Sequence, residues 1–260
     1  MIGLIFALPR EMESFRAKLG PSSGLPAGRF TFYYARVDGQ PVVLVKSGIG
    51  RERSRRAAES LLKTFNVDAV ICAGLAGGVR DRVRTGELII AGKVLDYPVV
   101  GGSGGTAAGY PCHRGLVDLS RKLADESGLE FRCGDLLTVD TVAQPASKKR
   151  IGDATSAVAV DMEGTGVAEA AMAAGTPFLA LKVVSDEQDD ELKGHNLVDG
   201  EGDIKPLSVI FYLMKNPPDL IHLLRIRGKT DRALDKLALF LRRFIERYGE
   251  VSNPLNVMEK

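Results

Sequence analysis

Four stretches of this chain are apolar almost without interruption: IGLIFAL (2–8), VDAVICAG (67–74), AVAVDM (157–162) and PFLALKVVS (177–185). A strand with one wet face alternates apolar and polar side chains, so a run without that alternation must be covered on both faces. Between these runs lie helical patterns. PREMESFRAKL opens on Pro9, a residue suited to the first position of a helix. Further helical stretches run from Arg51 to Phe65, over 115–126, and onward from Glu163. The β-α-β-α succession predicts a single α/β domain with a mainly parallel, mixed central sheet flanked by helices.

Other segments fill in this frame. FTFYYARV (30–37) and PVVLVKSG (41–48) flank Asp38-Gly39, a two-residue hairpin signal. GELIIAGKVLDY (86–97) and FRCGDLLTVDTV (131–142) read as strands. Beyond Gly202 there is no strand pattern, only helical sequence broken at Asn216-Pro217-Pro218. Leu234, Leu237, Leu241 and Phe244 recur at helical spacing and form one apolar stripe. The expected layout is an α/β domain over 1–202 and a helical extension over 203–260 packed on it. The extension is basic (Arg225, Arg227, Lys229, Arg232, Lys236, Arg242, Arg243, Arg247), which suits a solvated helix face or peripheral contact with a membrane. GGSGG (101–105) reads as a short loop.

Composition removes several classes of function. A net charge of +2 gives no reason to expect a nucleic-acid partner. Cys72, Cys112 and Cys133 share no CxxC spacing, so neither a disulfide framework nor a zinc site is expected. His113, His195 and His222 have no metal-ligand spacing, and the expectation is no metal and no cofactor. Reduced cysteines and a start that lacks a basic leader both point to the cytoplasm.

Ligands of open α/β sheets bind beyond the carboxyl ends of the strands. Polar residues just past the buried runs are therefore the candidates for chemistry. The first run delivers Glu11, in the opening turn of a helix where the macrodipole also favours an acid. The second delivers GLAGG (74–78), read as a glycine turn; it is not a dinucleotide fingerprint, and SGIGRERS (47–54) is not a P-loop. The third delivers Glu163, after which Gly164 and Gly166 leave room for a ligand to approach. The fourth delivers Asp186, preceded by Ser185. Carboxylates gathered on one rim repel one another and part in proton affinity, as general acid–base catalysis requires.

IGLIFALPREME, SGIG, AGLAGGVRDRVRTGELII, VDMEGTGVAEAA and LKVVSDEQDD together resemble the purine nucleoside phosphorylase and nucleosidase superfamily. Within it they resemble the methylthioadenosine/S-adenosylhomocysteine nucleosidases, over roughly residues 2–190. The resemblance implies a nucleoside phosphorylase-like fold and cleavage of a ribosidic C–N bond. It casts Glu11 as activator of water, Glu163 as clamp on the ribose hydroxyls, and Met162 as packing on the sugar. Asp186, steadied by Ser185, would protonate N7 of the departing purine. Gly74, Leu75, Val142 and Lys182 fall at substrate-binding positions. Three of these depart from the family pattern, which usually has Ser where Leu75 stands, Arg where Lys182 stands, and an aromatic where Val142 stands.

DIKPLSVIFYLMKNPPDLIHLLRIRGKTDRAL and the leucine at 75 are similar to the hopanoid-associated phosphorylases, taken to remove adenine from adenosylhopane. A 5′-modified adenosine is thus the expected small-molecule partner. Water is the expected acceptor, because Glu11 would repel phosphate, with phosphorolysis as the alternative, because Arg10, Arg51 and Lys182 could attract it. A non-catalytic nucleoside binder is the remaining alternative. By analogy with the family the chain is expected to form a homodimer.

Overall fold

The computed structural model describes residues 1–96, 109–190 and 217–252, and in the last segment the side chains of 228–249. At its centre β1 (Ile2–Phe6), buried along its whole length, lies between β4 (Gln40–Lys46) and β5 (Ala69–Gly78) and runs parallel to both. β3 (Phe30–Val37) enters β4 through Asp38-Gly39, whose φ angles of 46° and 84° give the positive-φ pair of the expected hairpin turn. A further strand that the sequence pattern does not announce, β2 (Ser23–Ala27), pairs outside β3. Its sequence, SGLPA, is exposed and carries a glycine and a proline, so nothing in its apolar pattern marks it as a strand; an edge position tolerates that composition.

The other edge of β5 takes β10 (Phe178–Asp186) in parallel. β10 is antiparallel to β6 (Leu88–Asp96), β6 is parallel to β8 (Phe131–Thr138), and β8 is parallel to β9 (Ala157–Asp161). β9 then returns to β5 as an antiparallel partner at Gly77 and Gly78. The pairings β5-β10-β6-β8-β9 close into a ring, with β1-β4-β3-β2 extending from it as a wing and the short β7 (Gly109–Pro111) added to β6. The sheet is therefore mixed, as expected.

GLAGG is not the strand-to-helix turn that its glycines suggest. Residues 74–78 are the second half of β5. β1 leaves that strand after Cys72 and β9 joins it at Gly77, so the glycines let one strand change neighbours. Gly74, at φ 148°, takes a backbone conformation that a side chain would resist.

Helices α1 (Pro9–Arg16), α2 (Arg51–Thr64), α3 (Arg114–Glu126), α4 (Pro145–Ala154) and α5 (Gly164–Ala173) surround the sheet. α4 has no apolar stripe by which sequence could reveal it; the residues it buries are Lys148 and Gly152. The last helix, α6 (Pro217–Ser252), begins inside the Asn216-Pro217-Pro218 break. Leu234, Leu237, Leu241 and Phe244 are buried and join the core that contains β1, β5 and β10. The GGSGG loop and the tail over 203–216 lie outside the described residues. Among the described residues no helix is long and apolar enough to cross a membrane.

Candidate active site

The carboxyl ends of β1, β4, β5, β8, β9 and β10 surround a cavity of about 200 Å³. Glu11, Leu75, Val142, Met162, Glu163, Ser185 and Asp186 all line it.

Glu11 reaches the cavity because Pro9 starts α1 at once after β1. Its Oε2 accepts the backbone N–H groups of Ala7 (2.9 Å) and Leu8 (2.8 Å), half of a capping box that fixes the side chain at the helix entrance. Its Oε1 accepts the N–H of Leu75 at 2.8 Å. A Cβ on Gly74 would lie 2.6 Å from that same oxygen, so glycine is required here to admit the carboxylate. Burial raises the Glu11 pKa, against the opposing pull of Lys182 and the three backbone donors.

Glu163 follows β9 and precedes α5. Its Oε1 accepts the N–H of Gly50 at 3.0 Å, at the start of α2, and its backbone carbonyl accepts the Ser54 hydroxyl at 2.9 Å. Desolvation is the main reason its pKa rises to about 7; Lys182 draws it down, while Asp161 and Glu11 add to the rise. Asp161 is structural. Its carboxylate accepts Thr138 Oγ1 (2.8 Å) and the Gly164 N–H (2.9 Å), and it lies 3.0 Å from Lys182 Nζ. Gly164 and Gly166 do not leave space for a ligand. A Cβ on Gly166 would come within 2.1 Å of the Arg51 carbonyl, and one on Gly164 within 2.9 Å of Val94, so both serve close packing.

Lys182 and Gly74, expected to touch substrate, lie behind the cavity wall instead. Lys182 is fully buried on β10, 3.0 Å from Asp161 and 3.8 Å from Glu163. Burial opposes its charge, but Cys72, Asp161, Glu163 and Glu11 hold its pKa well above the ordinary lysine range. It thus balances buried carboxylates and leaves no charge to spare for the cavity. Gly74 sits beneath Glu11.

Asp186 ends β10 opposite Gly77. Ser185 donates its hydroxyl to Asp186 Oδ1, and Lys148 Nζ is hydrogen-bonded to Oδ2. Lys148 is the residue that sequence reasoning missed. It lines the cavity from α4, and its side chain is 1% exposed. A lysine in a polar, weakly patterned stretch carries no sign of burial; a signal would have been the glycine one turn later. Gly152 brings α4 against Val79, the residue just past β5, so closely that a Cβ would lie 2.2 Å from the Val79 carbonyl. Leu8, Ile49, Leu75, Val139, Val142 and Ala143 give the remaining wall an apolar character, with Val142 36% exposed. Among the described residues there is no cluster suited to a metal ion.

A ring-closed mixed sheet flanked by helices, with the carboxylates of Glu11, Asp161, Glu163 and Asp186 lining one cavity, defines the architecture of the class. Comparison with known proteins gives the class a family: the phosphorylase superfamily model matches residues 1–204, and the chain belongs to that superfamily. Over 196 residues, the chain is 30% identical to the 5′-methylthioadenosine/S-adenosylhomocysteine nucleosidase of Pseudoalteromonas translucida, covering 71% of this chain and 83% of the relative. The nucleosidase of the same description from Colwellia psychrerythraea is 29% identical over 201 residues, 71% of this chain and 82% of its own. Among solved structures, futalosine hydrolase of Helicobacter pylori superposes with a TM-score of 0.75 at 20% identity, covering 95% of this chain and 97% of that one. The Helicobacter pylori 5′-methylthioadenosine/S-adenosylhomocysteine nucleosidase with butyl-thio-DADMe-Immucillin-A gives 0.76 at 20% identity and the same coverage. These likenesses show the fold.

Proposed function

We propose that this chain hydrolyses the N-glycosidic bond of a 5′-modified adenosine and releases adenine. The observation that carries the reading is the meeting of Glu11, Glu163 and Asp186 on one cavity. Cleavage of such a bond builds positive charge on the sugar and negative charge on the base. The two glutamates supply negative charge beside the sugar. Glu11, its carboxylate fixed by three N–H groups and its basicity raised by burial, is suited to take a proton from water. Glu163 accepts hydrogen bonds from the ribose hydroxyls, with Met162 against the sugar. Asp186, oriented by Ser185, faces the departing purine.

Water is favoured over phosphate. Arg51 is paired with Asp96, Arg10 with Asp231, and Lys182 with Asp161, so each cation that might attract phosphate is already held by an acid. A phosphate dianion would meet the Glu11 carboxylate instead. The apolar wall of Leu75, Val142 and Ala143 and the likeness of the tail to hopanoid-associated phosphorylases support a large apolar 5′ group such as that of adenosylhopane.

The test is adenine release from methylthioadenosine, adenosylhomocysteine and an adenosine with a long 5′-alkyl group, with inosine as control, each with and without phosphate. The expected result is adenine release without phosphate and preference for the alkylated substrate. Strict phosphate dependence with formation of ribose-1-phosphate would overturn the hydrolytic reading.

A further inference from the structure

We propose that Lys148 acts through Asp186, holding that carboxylate in place and supplying the proton that the departing purine takes up. The inference deepens the reading above and rests on it. An ammonium has three N–H donors, and Lys148 Nζ faces three acceptors: Asp186 Oδ2, the Glu187 carbonyl at 2.6 Å and the Asp190 carbonyl at 3.5 Å. One is anionic and two are carbonyls that can only accept, so the site is made for the charged lysine. Asp186 has both oxygens engaged, Oδ1 by the Ser185 hydroxyl and Oδ2 by Lys148. The Ser185 hydroxyl also faces the Ala76 carbonyl at 3.2 Å, so among the described residues Lys148 is the one charged partner that Asp186 has. The cation in contact with it is Lys148, which stands beside it in the cavity wall.

The charges around the pair leave this contact undisturbed. The Glu187 carboxylate is turned away onto Arg84 (2.8 Å) and the Thr85 N–H (3.2 Å). The Asp190 carboxylate accepts the Glu187 N–H at 2.8 Å. Arg80 is bound to the carbonyls of Ala157 and Thr155, and Gln188 to that of Val79. Glu11 and Glu163 face the pair across the cavity.

The proton balance closes. As the C1′–N9 bond breaks, its electron pair stays on N9, and one proton passes from Nζ to Asp186 Oδ2 and from Asp186 on to N7. Neutral adenine leaves, and Lys148 is left as an amine. Water forms the new bond to C1′ and loses a proton to Glu11. Transfer of that proton through solvent to Lys148 resets the site. Lys148 is thus a positioning and proton-supplying residue that acts through Asp186.

Lys148→Met and Lys148→Arg test the inference, with circular dichroism and melting as controls for folding. In Lys148→Met, kcat for adenine release should fall by about 10²–10³-fold with KM within about threefold, the range expected for loss of acid assistance. Without Lys148, Asp186 is the only acid left beside the purine and must take its proton from solvent. The ratio of variant to wild-type kcat should therefore climb about tenfold for each unit that pH falls between 8 and 6. Taking the ratio cancels the titration of Glu11 and Glu163, which both proteins share. Arginine restores the charge but does not release its proton, so Lys148→Arg should remain as slow as Lys148→Met near neutrality. A ratio independent of pH, or full activity in Lys148→Arg, overturns the inference. Should Lys148→Met fail to fold, Lys148→Gln, which keeps donors for the same oxygens, carries the same comparison. Absence of adenine release by the wild type from every nucleoside would count against the functional reading itself, an outcome separate from either of these.

Discussion

At the scale of single residues, the site depends on carboxylates brought into a core that opposes their charge. Glu163 shows the cost most directly, because its proton affinity is raised from 4.5 to about 7. The folded protein then binds more protons than the unfolded chain between these values, so folding stability falls as pH rises from about 5 to 7. Glu163→Gln removes that titration. Its stability to urea should vary less across this window than the wild type's, by up to about 3 kcal/mol. A variant with the same pH slope as the wild type would mean that Glu163 is not the group responsible. Activity should move in the opposite direction: in the proposed reading Glu163 accepts ribose hydroxyl hydrogen bonds when ionised, so kcat/KM should rise with pH through about 7. Gly74 is a second case. Gly74→Ala would place a methyl 2.6 Å from Glu11 Oε1 at φ 148°, and, with Glu11 as the proposed base, adenine release should drop on the order of 10²-fold as its carboxylate is displaced. Most of this site was legible because Glu11, Glu163 and Asp186 each follow an unmistakably buried strand. Lys148 was not, since it gains its importance from a helix whose position is set by Gly152 packing on Val79, just past β5, rather than by a pattern in its own sequence.

At the scale of elements, the contact between α2 and α5 connects packing to the site. Gly166 lies against the Arg51 carbonyl at a separation that leaves no room for a methyl group, and α2 also presents the Gly50 N–H to Glu163. Gly166→Ala must push the two helices apart. The expected loss of stability is about 2–3 kcal/mol from overpacking, a fall in Tm of roughly 5–10 °C, with adenine release weakened in step because the donor to Glu163 moves. An unchanged Tm would show that the helices can part freely. The elements themselves were legible where burial imposes a pattern, as in β1, β10 and α2. β2 was hidden because an exposed edge strand needs no apolar alternation. GLAGG was misread because five residues rich in glycine look like a turn, whereas here they let a strand exchange β1 for β9.

At the scale of the whole molecule, α6 decides whether the tail is an appendage or part of the core. Ring closure through β5–β10 and β5–β9 depends on pairings between residues far apart in the chain, and no local pattern specifies them. The apolar stripe of α6, by contrast, was plain in the sequence, and it is fully used. Leu234, Leu237, Leu241, Phe244 and Ile245 are buried in the core that holds β1 and β10. Burying side chains of this size contributes about 1.5–3 kcal/mol each, a sum comparable to the whole stability of a domain. Among the described residues Leu239, 57% exposed, is the large apolar side chain of α6 left facing solvent, and a lone leucine is ordinary on a protein surface. A chain ending at residue 216 should therefore be insoluble or fail to melt cooperatively, rather than fold as an active enzyme lacking only a membrane contact. The basic residues on the outer face are separable from this role. Replacing Lys229, Arg232 and Lys236 with Gln should leave Tm within about 2 °C, since exposed charges contribute little to stability. Sedimentation of this variant and the wild type with anionic vesicles then isolates any lipid contact. A folded, active chain lacking residues 217–260 would contradict the structural role of α6 and return the tail to the status of an appendage.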